Sequence, residues 1–225
     1  MFEVQNQPPP LEPYNLFASD AVLGDAVQRE GAGWAKSELT ALGATFGKPE
    51  TIRLGFDANK FTPQLRTFDR YGHRLDEVEF HPAWHELLTI ALAAGLHSSP
   101  WAEPKPGAHV ARAAGTYMLG QVESGVYCPI AMTYGSVPTL RHAPAIASEW
   151  LPRIFSRDYD RNFRPVKQKT SALLGMGRHG ATLSGFHAVG HRAGAPAGSV
   201  ILRRLGRRRA AAGRGQCRQA GTTRH

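Results

Sequence analysis

All of the chain's acidic residues lie before position 178, and this break sets what the chain can fold into. From Arg178 to His225 there are ten Arg and no Lys, Asp or Glu, while residues 1–177 hold 17 basic and all 18 acidic residues, a net of −1. The overall formal charge of +9 therefore belongs to the last 48 residues alone. A strongly basic protein suggests nucleic acid or an acidic membrane surface as partner. Here that inference reaches the tail and leaves the first 177 residues as an ordinary near-neutral globular stretch. Arg, Gly and Ala make up 28 of the 48 tail residues. Such a composition buries too little apolar surface to offset ordering entropy, so a disordered tail is expected, with Val200-Ile201-Leu202 its one apolar patch.

The body reads as nearly all-α, about seven helices. Gln7-Pro8-Pro9-Pro10 cannot be helical, because proline fixes φ and lacks an N–H, and residues 1–14 form an extended arm. A first helix lies within Asn15 to Gly31, with Asp20 as N-cap and Leu23, Ala26 and Val27 as its apolar stripe. The second runs from Ala32 to Gly47, with Gly47 at the C′ position. A third, short one covers Pro49 to Asn59. Asp69-Arg70-Tyr71-Gly72-His73-Arg74 reads as a polar turn.

Pro82 at N1 then opens a helix to Gly95, and Trp101 to Gly107 is a Pro-rich loop. Ala108 to Glu123 has the strongest helical pattern, with Val110, Ala113, Ala114, Tyr117, Met118 and Gln121 on one side. Cys128-Pro129 breaks the pattern, Ile130 to Val137 resumes it, and Ala143 to Phe155 is the last helix. Leu173-Leu174 has the character of a strand beginning.

Chemistry-bearing constellations are few. His81 and His85 stand four apart and could share a metal on a helix, but no Glu follows the first and no third ligand is evident. Structural or surface histidines are the favoured reading, and no metal site is assigned. Cys128 and Cys217 have no CxxC or Cys/His spacing around them, which implies a reduced, cytoplasmic protein with Cys128 buried. Neither a signal peptide nor a run of the roughly 20 apolar residues that span a bilayer is present. Val122 to Thr133 is the most specific stretch, yet it holds no acid–base pair and no nucleophile beside a base. No catalytic residue is assigned.

Several segments together resemble the AidB-like (adaptive response to alkylation) subgroup of the acyl-CoA dehydrogenase superfamily. They are Asn6-Gln7-Pro8, Arg29-Glu30-Gly31-Ala32-Gly33-Trp34, Arg74-Leu75-Asp76 on to Phe80-His81-Pro82-Ala83-Trp84-His85, Gly107 to Ala114, and Gln121-Val122-Glu123 through Cys128-Pro129-Ile130 to Met132-Thr133. The resemblance is collinear over residues 4–177. It implies a fold of three parts: an N-terminal helical domain, a middle β-domain and a C-terminal helical domain. FAD lies between the last two, and a catalytic carboxylate comes from the third. Homotetramers and DNA binding through the C-terminal domain are implied too.

Residues 15–177 would then be the helical domain, entering the first middle-domain strand at its end. Met132 and Thr133 would face the flavin or acyl side. After Gly177, where the family carries a Met-Thr-Glu…Gly-Gly-Ser-Asp segment, Arg178-His179-Gly180-Ala181-Thr182 follows instead, and nothing in residues 178–225 matches. Arg, Gly and Ala, which dominate these residues, have GC-rich codons, as translation of a GC-rich gene in a shifted frame would produce. An intact family reading frame overlapping codons 178–225 would support that origin, and its absence would exclude it. Three functions follow as expectations: a FAD-linked acyl-CoA dehydrogenase fragment without activity, a module holding nucleic acid through its Arg-rich tail, or a non-functional remnant prone to aggregate.

Overall fold

The computed structural model describes residues 6–179, 183–189 and 200–201. Residues 6–13 carry no helix or strand, and the chain then lands on the second helix. Tyr14 and Leu16 donate their N–H groups to the carbonyls of Gly47 (3.3 Å) and Gly43 (3.2 Å). Glycine is required there for space. A Cβ on Gly47 would sit 1.6 Å from the Tyr14 carbonyl oxygen. The backbone at Gly47 has φ −87°, so its role is close approach and not the left-handed C′ turn expected.

Helix α1 (Ala21–Arg29) is capped as expected, Asp20 accepting from the Leu23 N–H at 2.8 Å. Gly31 leaves it at φ 77°. Helices α2 (Lys36–Phe46) and α3 (Pro49–Lys60) follow. The polar turn at Asp69–Arg74 connects two strands that alternation does not reveal, β1 (Gln64–Phe68) and β2 (Arg74–Glu79), antiparallel with Leu65 opposite Val78. The register slips between Arg66 and Phe68, and Asp76 sits at φ 51° with its carboxylate on Arg74 Nε at 2.6 Å. A short polar side chain tolerates the left-handed region, which is how the bulge forms without glycine.

Helix α4 (Pro82–Ala93) begins with proline at N1. The expected loop after it contains one helical turn, α5 (Ser99–Ala102). Helix α6 (Ala108–Val122) starts at Gly107, φ 74°, whose absent Cβ lets the Gly31 carbonyl within 2.3 Å of where it would be. The apolar stripe expected on α6 is corrected. Ala113, Tyr117 and Gln121 are exposed, and Arg112, Gly115, Thr116 and Leu119 are buried instead. The helix packs on more than one side, so no single stripe describes it.

Helix α7 (Tyr127–Arg141) also departs from expectation, because Pro129 does not interrupt it. Pro129 lies in the first turn, where its missing N–H would have no helical partner anyway. Cys128, in the same turn, is exposed and not buried. Helix α8 (Pro144–Ile154) leads to β3 (Leu173–His179), the strand expected from Leu173-Leu174.

β3 pairs antiparallel with β4 (Leu183–Val189), and β4 with β5 (Val200–Ile201). The expected disordered tail, from residue 178, thus includes strand at residues 178–179, 183–189 and 200–201, and its remainder lies outside the described residues.

Two apolar clusters form the interior. One joins Phe17, Val27, Phe46, Leu87, Leu92, Met118, Leu119 and Ile130 across α1–α7. The other joins Val137, Leu140, Trp150, Ile154, Val166 and Leu174. Leu173 packs on the first and Leu174 belongs to the second, since successive strand residues point to opposite faces.

Candidate functional site

Helix α7 carries the residues singled out in the sequence, and Glu123 holds its beginning. That carboxylate accepts from the Gly125 N–H at 2.8 Å, from the Val126 N–H and from Asn59 Nδ2 at 3.2 Å. A carboxylate at a helix N-terminus meets unpaired N–H groups and the positive end of the dipole. Spacing alone gave no sign of this role, because Glu123 stands at the end of one helix and serves the next.

Thr133 is fully buried. Its hydroxyl donates to the Pro129 carbonyl at 2.7 Å and accepts from the Leu174 N–H at 2.9 Å. It ties α7 to β3 at the point where the helices give way to sheet. Met132 beside it is half-buried.

A turn further on, Pro138 lies inside α7 and cannot donate to the Tyr134 carbonyl. Trp101 Nε1 takes that place at 3.0 Å. The Tyr134 hydroxyl lies 2.6 Å from His109 Nδ1, and the Arg112 guanidinium sits 3.8 Å from the centre of its ring. Arg112 is buried and donates through Nε to the Leu96 carbonyl at 2.8 Å, while its Nη2 has no hydrogen-bond partner. Burial lowers its pKa, opposed by Tyr127 and Tyr134. None of Trp101, His109, Arg112 or Tyr134 emerges from sequence spacing as a group, since they come from three helices.

The histidine pair does not converge. His81 caps α4, its Nδ1 accepting from the Ala83 N–H at 3.2 Å, and its ring stacks on Phe61 at 4.6 Å. His85 Nδ1 pairs with the Tyr159 hydroxyl at 2.8 Å. Among the described residues no group of three or more His, Cys, Asp or Glu could hold a metal. Among them also, no helix is long and apolar enough to cross a membrane.

Solved structures share this fold of helices running into a strand. Caenorhabditis elegans ACDH-11, solved in complex with C11-CoA, superposes with a TM-score of 0.60 at 19% identity, over 83% of this chain and 35% of that one. The apo form of Bd2924 gives 0.61 at 18% identity, over 80% and 46%. The sequence matches the adaptive response protein AidB N-terminal domain over residues 6–161, and the chain belongs to that family. It is 43% identical over 176 residues to the putative acyl-CoA dehydrogenase AidB of Escherichia coli (strain K12), covering 77% of this chain and 32% of that protein. The chain thus spans about a third of that relative's length.

Acyl-CoA dehydrogenases use FAD, and Thr133 offers it no free donor in this structure. The one proton of the Thr133 hydroxyl goes to Pro129, its side chain is sealed from solvent, and the sequence after Gly177 has no Gly-Ser-Asp. We therefore assign no residue of this chain a step in flavin chemistry.

Proposed function

We propose that these 225 residues act as the N-terminal helical domain of an AidB-type, FAD-dependent acyl-CoA dehydrogenase, an oxidoreductase on the CH–CH group of acyl-CoA, without holding FAD or turning over by themselves. The observation that carries this is the family match over residues 6–161, combined with the Thr133–Leu174 tie that sets the first strand on α7. On this reading α7 is a wall. It supplies shape and a fixed strand, while the flavin does the redox chemistry when bound. Met132 is the residue left on this part of α7 to face the flavin or acyl side in an intact relative.

The test is reconstitution. The purified chain is incubated with FAD, desalted and scanned. A spectrum with the protein band alone, and no reduction of an acceptor dye with an acyl-CoA, is the expected result. Retained oxidised-flavin bands would overturn it.

A second reading rests on the ten Arg of residues 178–225. It gives non-specific nucleic-acid binding that weakens steeply with salt and vanishes when those residues are deleted. Affinity that survives the deletion excludes it.

A further inference from the structure

Beneath the β1–β2 hairpin lies a cleft of about 610 Å³, well inside the size range of ligand sites. It is lined by β2, at Glu77, Val78 and Glu79, and by Pro129 and Leu173. One wall is a run of rings from the start of α4 to the segment after α8. Phe80 stacks on Trp84 at 4.0 Å, Trp84 meets His85 edge-on at 5.5 Å, and His85 stacks on Tyr159 at 5.8 Å. Phe163, 39% exposed, also lines it.

The lining that continues from Tyr159, residues 160–171, is held in place by Asp160. Its carboxylate accepts from Arg164, from the Asn162 N–H at 3.1 Å and from Asn162 Nδ2 at 2.9 Å. The Asp160 N–H donates to Ser171 Oγ at 3.1 Å, and Lys169 Nζ donates to the Asp160 carbonyl at 2.9 Å. Burial would raise the Asp160 carboxyl, but Arg164 and these N–H donors overrule it and hold it at about 2. A segment with no helix beyond one short turn is thereby made rigid, and a preformed cleft loses little entropy on binding.

The cleft also has an oriented donor. The Tyr159 phenol is held above its ordinary range by burial and keeps its proton. Its hydroxyl stands 2.8 Å from His85 Nδ1. Burial, with Arg161 and Lys169 nearby, lowers the His85 pKa, which favours the neutral imidazole. Aromatic faces stack flat groups, and a neutral N–H requires an acceptor.

We propose that Tyr159 donates to His85 Nδ1, leaving the imidazole proton on Nε2, and that this cleft binds an uncharged planar heteroaromatic or aryl group whose ring nitrogen or carbonyl accepts a hydrogen bond from that Nε2. The aromatic wall selects flatness, and His85, set by Tyr159, selects the acceptor.

The experiment uses the full chain with three probes: nicotinamide, the aliphatic hexanamide and the anion benzenesulfonate. Binding is followed by Trp fluorescence and by the imidazole nitrogen shifts of His85. Nicotinamide should bind and move the His85 signals, with at least tenfold weaker binding of the other two. His85→Phe keeps a ring in the wall and removes the donor, and should weaken nicotinamide about tenfold, the scale of one buried hydrogen bond. Phe163→Ala, at an exposed position in the lining, should weaken it severalfold with far-UV circular dichroism unchanged. No binding of nicotinamide, equal binding of hexanamide, or unaltered affinity in both variants would each overturn the proposal.

Discussion

At the scale of single residues, several side chains hold backbone groups that the fold leaves without partners. Thr133 and Trp101 do so for the Leu174 N–H and the Tyr134 carbonyl. Removing one partner of a buried hydrogen bond leaves the other desolvated, which costs about 1–3 kcal/mol. Thr133→Val, close in shape, should therefore lower stability by about that amount in urea unfolding, and an unchanged midpoint would contradict the assigned tie.

His97 is a second case. Fully buried, it pairs through Nε2 with the Ser156 carbonyl at 3.0 Å. Burial, with Arg157 and Arg112 nearby, brings its pKa from 6.5 to about 4, against the pull of carbonyl contacts. The unfolded chain takes up a proton near pH 6.5 and the folded one only near 4. Stability from this group is thus complete above pH 6.5 and lost as pH falls toward 4, by roughly 3 kcal/mol in all. His97→Gln keeps a donor for Ser156 without titrating. It should flatten that acid limb of a stability–pH curve, and a limb of the same depth would rule His97 out as its source.

At the scale of elements, local pattern and tertiary demand diverge most around α6 and α7. The junction between them is organised by Glu123, whose carboxylate caps the following helix and reaches Asn59 on α3. Glu123→Ala should destabilise by about 2 kcal/mol, at the upper end for a lost cap because the site is buried. Glu123→Gln, which keeps an acceptor, should recover part of it.

Gly55 on α3 meets the Val122 carbonyl so closely that a Cβ would lie 2.2 Å from it. Gly55→Ala must push α3 from α6 and should lower the melting temperature by several degrees, as a backbone clash of about 1–3 kcal/mol would in a chain this size. Helices 1, 4 and 8 and the capping of α1 by Asp20 are legible in sequence because their signals are local: a cap residue, a proline at N1, a recurring apolar face. The hairpin is not, because Leu65 is 64% exposed and its strands have little buried face for alternation to report.

At the scale of the whole molecule, two interior clusters meet at α7 and the first residues of β3. Val126 and Ile130 serve one cluster, Val137 and Leu140 the other, so α7 is a shared beam. Leu174→Ala should cost about 2–5 kcal/mol and weaken the second cluster more than the first. Hydrogen exchange would show this as faster opening of α8 than of α4, and equal acceleration in both would mean that the clusters unfold as one.

What the sequence determined by itself was the confinement of acidic residues to positions before 178, the predominance of helix and the family, because charge distribution, proline and glycine placement and an ordered series of short motifs are properties of the chain read in line. Only the tertiary structure decided the work of individual groups. Thr133 ties α7 to a strand 41 residues on, Cys128 reads as buried and is exposed, and His85 finds its partner in Tyr159, 74 residues away. The reason is physical. A helix propensity or a cap is settled within a few residues, whereas which polar atom a hydroxyl or an imidazole meets depends on how separate helices pack, and that is set by the shape of the whole interior.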